Sequence, residues 1–429
     1  MRNPEIDPRL FVGNRDRLRA LLPSNSLAAV NANDVLPTNA DGTFLLHQNA
    51  DLFHLTGVRQ EETRLLLYPD APEPEFREIL FLREPCERLA IWEGHKLTKE
   101  EARRLTGIQR VEWLSEFRPI FHRLMCECDH VYLNANEHKR AVVEVETRDA
   151  RFVRECRERY PLHDYQRLGR LMHRVRAVKS DLEVDLIKQA CAITADGFRR
   201  VLGFVKPGVT ETEVEAEFAH EFIRRGGAFA YPPIIAGGAG ACVLHYVTNR
   251  EVCRRGDLLL LDVAASYASY NSDLTRTIPV NGRFTRRQRQ VYLAVLRVLR
   301  ETIRLLQPGK LWRNWQKDAE SLIEQELLEL GLLKRGDLKR AEGQEPAFKK
   351  YFMHGVGHPI GLDVHDVGLT TEPMQAGWVM TCEPAIYIPA EGMAVRLENN
   401  ILITPTGPVD LMADIPIEPE EIEALMNRR

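Results

Sequence analysis

The segment from His354 to Asp366 constrains the fold of this chain more than any other part of the sequence. It reads His-Gly-Val-Gly-His-Pro-Ile-Gly-Leu-Asp-Val-His-Asp, with histidines at 354, 358 and 365 and glycines at 355, 357 and 361. Glycine lets the backbone adopt positive φ or approach a neighbouring element closely, so the segment predicts a turn beside a site. A lone histidine here would favour a structural role, but three histidines with flanking glycines favour a functional one.

Two aspartates upstream lie in an equally unusual setting. Asp262 follows four consecutive leucines, which predicts a charge at the end of a buried strand, and Asp273 lies a short distance further on. A hairpin between them would bring the two carboxylates together. Two buried carboxylates repel each other and cannot both ionise unless a cation lies between them. The alternative is that each aspartate is an independent turn residue or helix cap.

Two glutamates downstream lie in apolar runs that resemble strands. Glu383 follows Val-Met-Thr-Cys and Glu398 follows Ala-Val-Arg-Leu. An unpaired charge in either run would cost on the order of several kcal/mol. Arg396 could pair with one of the glutamates. However, strand residues two positions apart share a face, so Arg396 and Glu398 also suit a common site.

One imidazole and four carboxylates form a plausible metal-ligand set. Such a set suits Mn²⁺, Co²⁺, Fe²⁺ or Zn²⁺, and its oxygen-rich character favours Mn²⁺. Two ions about 3.5–4 Å apart can activate water and clamp a carbonyl oxygen, as two-metal hydrolases do. The candidate ligands are Asp262, Asp273, His358, Glu383 and Glu398.

Composition restricts the function classes. The chain has 429 residues, 44% of them hydrophobic and 28% charged, and its net charge of −4 gives no support for a nucleic-acid or anionic-membrane partner. We expect no transmembrane helix, because no apolar run is long enough, and no signal peptide, because the first residues lack an apolar core. The eight cysteines form no CxxC pair, which favours reduced thiols and a cytoplasmic protein.

Two parts of the chain differ in pattern. Residues 1–174 alternate short apolar runs, such as 26–30 and 130–133, with helical patterns, including one over 141–159, and this predicts an α/β domain. Residues 175–429 combine helices with strand-like pieces and predict α+β layers, with helices on one face of a curved sheet. Ser180, Thr210 and Thr285 are predicted helix N-caps. The predicted strands of this part are 231–236, 243–248, 258–264, 274–280, 378–382, 386–388 and 393–403.

With these candidates in place, the chain resembles the metallopeptidases of the "pita-bread" fold, and within them the proline-peptidase branch. The His354–Asp366 segment is similar to the signature of that branch, and Asp273-Leu-Thr-Arg-Thr to the motif of its second ligand. Residues 48–57 and 90–94 resemble the N-terminal domain of aminopeptidase P. The resemblance implies a catalytic pita-bread domain, with a curved antiparallel sheet and helices on one face, preceded by a smaller α/β domain.

The resemblance also implies roles for individual residues. Asp262 would chelate one metal, Asp273 and Glu398 would bridge two, and His358 and Glu383 would complete the other. Glu383 would also handle the proton of the attacking water. The remaining implied residues have supporting roles: His245 and His365 would flank the scissile carbonyl and the proline, His354, Tyr387 and Arg396 would support the metal ligands or contact the peptide, and Asp41 would relay protons.

The implied activity is release of the residue that precedes proline at a peptide N-terminus, by an enzyme with two divalent ions, Mn²⁺ before Co²⁺ or Zn²⁺. The alternatives are a prolidase that cleaves Xaa-Pro dipeptides, a metal-free creatinase-like hydrolase, and a non-catalytic peptide-binding module. Residues 367–377 contain no arginine to hold a dipeptide carboxylate, which disfavours prolidase. Relatives form dimers or tetramers, and Trp92 resembles a position from which a neighbouring subunit reaches the site.

The chain departs from the family pattern at several positions close to ligands, one of which is Asn399, where the family usually has aspartate. Ala264 and Ala385 stand where the family usually has glycine. Neither change removes a ligand, but the added methyl groups could crowd the pocket.

Overall fold

The computed structural model describes residues 5–338 and 345–428 and divides the chain after Arg176. The first unit is Glu5–Arg176 and the second begins at Ala177. The sequence placed this division after residue 174. The expected domains 1–174 and 175–429 include residues 1–4, 339–344 and 429, which lie outside the described residues. The expectation that the chain has no signal peptide concerns its first residues, and of these 1–4 also lie outside the described residues.

The first unit is built on a six-stranded sheet in the order β4-β3-β2-β1-β5-β6. Strand β2 runs antiparallel to β1 and β3, whereas β1 with β5, β5 with β6, and β3 with β4 are parallel pairs. The strands are β1 Ser26–Asn31, β2 Arg64–Leu67, β3 Glu78–Leu82, β4 Arg110–Trp113, β5 His130–Leu133 and β6 Asp164–Arg167.

Helices cover both faces of this sheet because its strands are apolar on both sides. Ala28 and Val30 belong to one buried core cluster, and Leu27 and Ala29 to another, as expected for alternating side chains of a strand. The helices are α1 Pro8–Arg19, α2 Ala50–Thr56, α3 Glu87–Glu93, α4 Lys99–Thr106, α5 Phe117–Met125, α6 Arg148–Arg159 and α7 Gly169–Ala177, which runs across the division between the units. The predicted α/β architecture is therefore confirmed.

The second unit contains antiparallel strand pairs throughout its described residues. Its four sheets are β11-β10-β7, β12-β9-β8, β13-β16-β17 and β14-β15. The strands are β7 Ala228–Phe229, β8 Ile234–Gly237, β9 Leu258–Asp262, β10 Ala265–Tyr267, β11 Tyr270–Asn271, β12 Thr275–Pro279, β13 Val379–Cys382, β14 Ala385–Ile388, β15 Met393–Arg396, β16 Asn399–Thr404 and β17 Gly407–Asp410.

The helices of the second unit begin where the sequence placed their caps. Ser180 with Glu183, and Thr210 with Glu213, form reciprocal capping boxes, as does Thr285 with Gln288. Helices α8 and α9 pack on β7, β8, β10 and β11, and α10 packs on β13, β14, β15 and β17. The helices are α8 Asp181–Phe204, α9 Glu211–Arg224, α10 Arg286–Arg304, α11 Trp312–Glu329 and α12 Pro419–Met426.

Some sequence predictions of secondary structure are wrong. The single strand expected over 393–403 is two strands, β15 and β16, which belong to different sheets. The helix expected over 141–159 begins only at Arg148, because the side chain of Thr147 caps it by accepting a hydrogen bond from the Ala150 amide. The segment 243–248, expected to be a strand, is irregular chain that follows the 3₁₀ helix Gly238–Cys242. Val243 and Val247 are exposed there, so these β-branched residues do not mark a buried face. Among the described helices, none has the length and apolar character needed to cross a bilayer.

Candidate active site

Asp262 and Asp273 are brought together by a pair of antiparallel strands, as predicted. Asp262 ends β9, and Asp273 lies just before β12, whose first residue, Thr275, is paired with Asp262. Tyr231 supplies an unexpected partner, since its hydroxyl oxygen lies 2.6 Å from Asp262 Oδ1 and 2.6 Å from Asp273 Oδ1. A hydroxyl has one proton and can donate to only one carboxylate at a time.

His358 faces the carboxylates through one ring nitrogen. Its Nδ1 lies 3.0 Å from the carbonyl oxygen of Pro359, so this nitrogen carries the proton and donates it. The Nε2 atom then presents its lone pair at 3.5 Å from Asp273 Oδ2 and 3.7 Å from Glu383 Oε1. A neutral imidazole oriented by a backbone acceptor is the usual form of a metal-binding histidine.

Glu398 completes a compact group of potential ligands. Ligand atoms of Asp273, His358 and Glu398 all lie within 4.8 Å of one another, and the three residues are buried. Thr275 Oγ1 donates to Glu398 Oε2 at 2.7 Å, but Glu398 Oε1 is buried without a hydrogen-bond partner. A buried carboxylate oxygen with no donor is costly, so the group fits a cation.

The electrostatics of the group lead to the same conclusion. Burial, followed by repulsion from Asp262, holds the pKa of Asp273 well above its usual range. Burial and the neighbouring carboxylates likewise raise the pKa values of Glu383 and Glu398. These carboxylates resist ionising together in the absence of positive charge, which a divalent ion supplies. An imidazole with several carboxylates is a donor set that fits such an ion.

Arg396 pairs with Asp262, not with Glu383 or Glu398 as the alternative interpretation supposed. Its Nη2 lies 2.5 Å from Asp262 Oδ2, and the guanidinium is almost fully buried. Arg396 Nε also donates to Thr275 Oγ1 at 3.0 Å. One hydroxyl therefore links the guanidinium to Glu398.

A chain of hydrogen bonds runs from Arg396 to His354. Arg396 Nη1 donates to the Tyr387 hydroxyl at 2.8 Å, and that oxygen lies 2.9 Å from His354 Nε2. His354 Nδ1 lies 2.7 Å from the carbonyl oxygen of Gly355, so Nδ1 donates and Nε2 accepts. Burial and then the charge of Arg396 lower the pKa of His354 to about 4, which keeps the ring neutral near pH 7.

His365 and His245 are exposed, unlike His358. The His365 ring packs edge-on against His358, with 4.4 Å between ring centroids. His245 lies in the irregular segment that follows the 3₁₀ turn Gly238–Cys242. Asp41 lies in the other unit, in an exposed bend between the bridged residues Pro37 and Thr43. The roles expected for these residues stay predictions.

Ala264 and Ala385, which stand where the family usually has glycine, are buried. Ala264 lies between β9 and β10, and its carbonyl accepts a hydrogen bond from the Ala230 amide. Ala385 opens β14 opposite Arg396. Both methyl groups therefore lie inside the fold next to elements that carry candidate ligands.

The sequence reasoning missed Tyr231 and Thr275 as site residues. Tyr231 lies in the segment 231–236, for which the sequence predicted only a strand. Two prolines follow Tyr231 directly and make the backbone there rigid. A phenol next to this rigid segment is the sequence feature that could have indicated a site residue.

Comparisons with known proteins cover nearly the whole chain. Residues 185–405 match the profile of metallopeptidase family M24, and residues 11–132 match the N-terminal domain of aminopeptidase P. The chain is 33% identical to the Xaa-Pro aminopeptidase of Escherichia coli K12, over 98% of each chain. Among solved structures, it is similar to zinc-substituted E. coli aminopeptidase P in complex with product, with a TM-score of 0.85 and 32% identity over 99% of both chains. It is also similar to aminopeptidase PepP of Pseudomonas aeruginosa, with a TM-score of 0.87 and 29% identity over 98% of both chains.

Proposed function

Because this chain belongs to metallopeptidase family M24 and carries the N-terminal domain of aminopeptidase P, we propose that it is a metal-dependent Xaa-Pro aminopeptidase. It releases the first residue of peptides that have proline in second position. The observation that carries this conclusion is the buried group of Asp273, His358 and Glu398, found in a chain that matches such an enzyme over its full length.

The residues that would hold the metal are Asp262, Asp273, His358, Glu383 and Glu398, and this set is large enough for two divalent ions. The unpartnered Oε1 atom of Glu398 and the raised pKa values of the buried carboxylates support this assignment. The oxygen-rich donor set favours Mn²⁺ over Zn²⁺. When bound, such ions would polarise the scissile carbonyl and make water more acidic.

The other residues of the site have complementary roles in this proposal. Glu383 is partly exposed and lies next to the buried ligands, so it can accept the proton of the attacking water and pass it to the leaving proline nitrogen. His365 and His245, both exposed, would donate hydrogen bonds to the peptide. Arg396, which donates to Asp262, would keep that carboxylate in place, and the Tyr387 hydroxyl and neutral His354 would in turn hold Arg396. Asp41 would act as a proton relay.

A peptide panel tests the activity and separates it from the prolidase alternative. Metal-stripped enzyme would be assayed with Xaa-Pro and Xaa-Pro-Yaa peptides after addition of Mn²⁺, Co²⁺ or Zn²⁺. We expect the longer peptides to be preferred, because residues 367–377 have no arginine to hold a dipeptide carboxylate. His358→Ala is the matched control and should be inactive with every metal. Cleavage of dipeptides alone would favour prolidase, and no cleavage with any metal would contradict the proposal.

Exposed apolar side chains of the first unit support assembly of the chain into a homo-oligomer, either a dimer or a tetramer. The large exposed apolar side chains of this unit are concentrated in the segments that follow β1, β3 and β5. These three strands are mutually parallel, so their carboxyl ends share one edge of the sheet. Monomers rarely expose large apolar patches. The exposed residues include Phe44, Leu45, Ile91, Trp92, Val142 and Val145.

Light scattering coupled to size-exclusion chromatography tests this assembly. We expect the wild-type chain to elute as an oligomer and Trp92→Glu to shift it toward the monomer, since Trp92 is 80% exposed in the isolated chain. A wild-type monomer would contradict the proposal.

All eight cysteines are unpaired, which supports a reducing compartment such as the cytoplasm and can be tested by cell fractionation.

A further inference from the structure

A buried ion pair lies outside the roles described so far. Lys179 Nζ is 3.1 Å from Asp366 Oδ2, and each side chain is only 2% exposed. Lys179 precedes Ser180, the N-cap of α8, whereas Asp366 directly follows His365. Removing two charges from water is unfavourable, so a buried pair is retained only where its geometry and further hydrogen bonds compensate.

The pair lies at the point where the loop that carries His365 closes. The Asp366 amide donates to the carbonyl of Pro359 at 3.0 Å, which brings the two ends of the loop together. Asp366 Oδ1 accepts from the Val367 amide at 2.8 Å, while Oδ2 faces the lysine. A Cβ atom at Gly361 would lie 2.2 Å from Asp366 Oδ2 and 3.0 Å from Lys179 Cε. The absence of a side chain at Gly361 therefore lets the ion pair lie directly against the loop.

Lys179 also holds the far end of the following segment. Its backbone amide donates to the carbonyl of Gly377 at 2.8 Å. Lys179 therefore contacts both ends of the arginine-free stretch 367–377. Its side chain pairs with Asp366, and its backbone amide donates to Gly377.

His358, at the start of the loop, is fixed independently of this pair. Its amide donates to Thr381 Oγ1 at 3.0 Å, and the Thr381 amide donates back to the His358 carbonyl at 2.7 Å. Pro359 also forms a bridge with Met380 of β13. Loss of the ion pair should consequently disturb the His365 end of the loop and leave the His358 end in place.

We infer that Lys179, through its ion pair with Asp366, is a positioning residue that sets His365 against the peptide. The inference rests on the aminopeptidase function proposed above. A side chain on an irregular loop needs such a support, because a misplacement of about 1 Å can reduce a rate by about 100-fold.

The first test is Lys179→Met in the full-length enzyme loaded with Mn²⁺. We expect kcat on an Xaa-Pro-Yaa peptide to fall by about 10- to 100-fold, while the Mn²⁺ bound per chain stays at the wild-type value, because His358 keeps its contacts with Thr381. Wild-type kcat, or loss of Mn²⁺ together with activity, would overturn the inference. Lys310→Met is the matched control. It breaks a more exposed pair with Asp318 in the same unit and should leave kcat unchanged.

A doubly neutral variant separates positioning from general stabilisation. Lys179→Met alone leaves a buried charge on Asp366, whereas Lys179→Met with Asp366→Asn removes both charges and should recover much of the lost Tm. If the pair positions His365, kcat stays low although Tm recovers. Recovery of kcat together with Tm would overturn the inference. Asp366→Asn alone serves as the second single variant if Lys179→Met does not fold.

A double-mutant comparison identifies the residue through which Lys179 acts. In a His365→Ala background, Lys179→Met should change kcat by no more than about twofold, because the group that it positions is already gone. Losses that multiply would overturn the inference. A wild-type enzyme that leaves Xaa-Pro peptides intact would overturn the proposed function and this inference with it, whereas an active wild type with an unimpaired Lys179→Met variant would overturn this inference alone.

Discussion

A single hydroxyl, that of Tyr231, lies between two carboxylates of the proposed metal site. It is 2.6 Å from an oxygen of Asp262 and from an oxygen of Asp273. Tyr231→Phe removes this neutral hydroxyl, which bridges the two carboxylates. We expect Mn²⁺ affinity or kcat to fall by about 10- to 100-fold, as for other supports of metal ligands. Isothermal titration with Mn²⁺ and peptide kinetics would measure the two effects.

The control for this substitution is a buried tyrosine outside the site. Tyr292 donates to the carbonyl of Ile417 at 2.7 Å, so Tyr292→Phe also removes one buried hydrogen bond. We expect it to cost about 1 kcal/mol of stability and to leave Mn²⁺ affinity unchanged. Equal Mn²⁺ affinities of Tyr231→Phe and the wild type would contradict the role given to Tyr231.

Asp149, in the first unit, should make folding stability depend on pH. It is buried in the first turn of α6 and accepts a hydrogen bond from Asn31 at 2.9 Å. Burial raises its pKa from 3.8 to about 7. Between these values the folded state keeps a proton that the unfolded chain has lost, so the free energy of unfolding decreases as pH rises across this window. Above about pH 7 this decrease is complete.

The variant Asp149→Asn tests this dependence because asparagine does not ionise and retains the acceptor for Asn31. Relative to the wild type, the variant should be more stable at pH 8 than at pH 5, by on the order of 1 kcal/mol or more. Urea unfolding of both proteins at the two pH values gives the comparison. A stability difference that is the same at both pH values would refute the assignment.

The residues of the site differ in how visible they are in the sequence. Asp262 and Glu398 are recognisable because a charge in an apolar run needs a partner. Tyr231 is less recognisable, because apart from the two prolines that follow it, an aromatic residue in an apolar stretch has the same pattern as a core residue. The pair between Arg396 and Asp262 joins residues 134 positions apart, a separation over which no local pattern specifies the partner.

At the scale of elements, the segment His354–Asp366 can approach β13 closely because it has a glycine at position 357. A Cβ atom at Gly357 would lie 2.1 Å from the carbonyl oxygen of Thr381 and 2.8 Å from the ring of Trp315. Gly357→Ala should therefore push the loop away from the strand and move His358. We expect the free energy of unfolding to fall by about 1–3 kcal/mol and Mn²⁺ binding to weaken.

Gly355, two residues earlier in the same loop, offers the matched control. A Cβ atom there would meet only Gln316 Oε1, at 3.5 Å, which is an ordinary contact. Gly355→Ala should change stability by no more than about 0.5 kcal/mol. Chemical denaturation of the two variants measures the difference, and equal stabilities would show that the close approach of Gly357 is not required.

Local chemistry explains which elements could be predicted. The N-termini of α8, α9 and α10 follow from capping boxes, in which one side chain satisfies a defined backbone amide. Residues 243–248 have a strand-like composition but form no strand, because hydrogen bonding to another strand is not encoded locally. That segment is held instead by side chains, as when the Tyr246 hydroxyl donates to Glu211 Oε2 at 2.9 Å.

At the scale of the whole chain, the two units differ in how their sheets are built. The first unit buries its central strands on both faces, so these strands are continuous apolar runs in the sequence, as at Ser26–Asn31. The second unit pairs strands that are close in sequence, such as β9 with β12, as well as β13 with β16. Sequence patterns predicted the α/β class of the first unit and the α+β class of the second. They did not specify strand order, which depends on contacts between distant segments.

Since all five proposed ligands belong to the second unit, metal binding should stabilise that unit selectively. A ligand that binds only the folded state at 100 times its Kd adds about 2.7 kcal/mol to the free energy of unfolding. Hydrogen exchange of metal-stripped and Mn²⁺-loaded protein would locate this effect. We expect added protection in peptides covering residues 258–279 and 379–404, and little change in residues 26–167. In His358→Ala the protection should be reduced or lost. Equal protection of both units would contradict a metal site confined to the second, and protection that persists unchanged in His358→Ala would exclude His358 as a ligand.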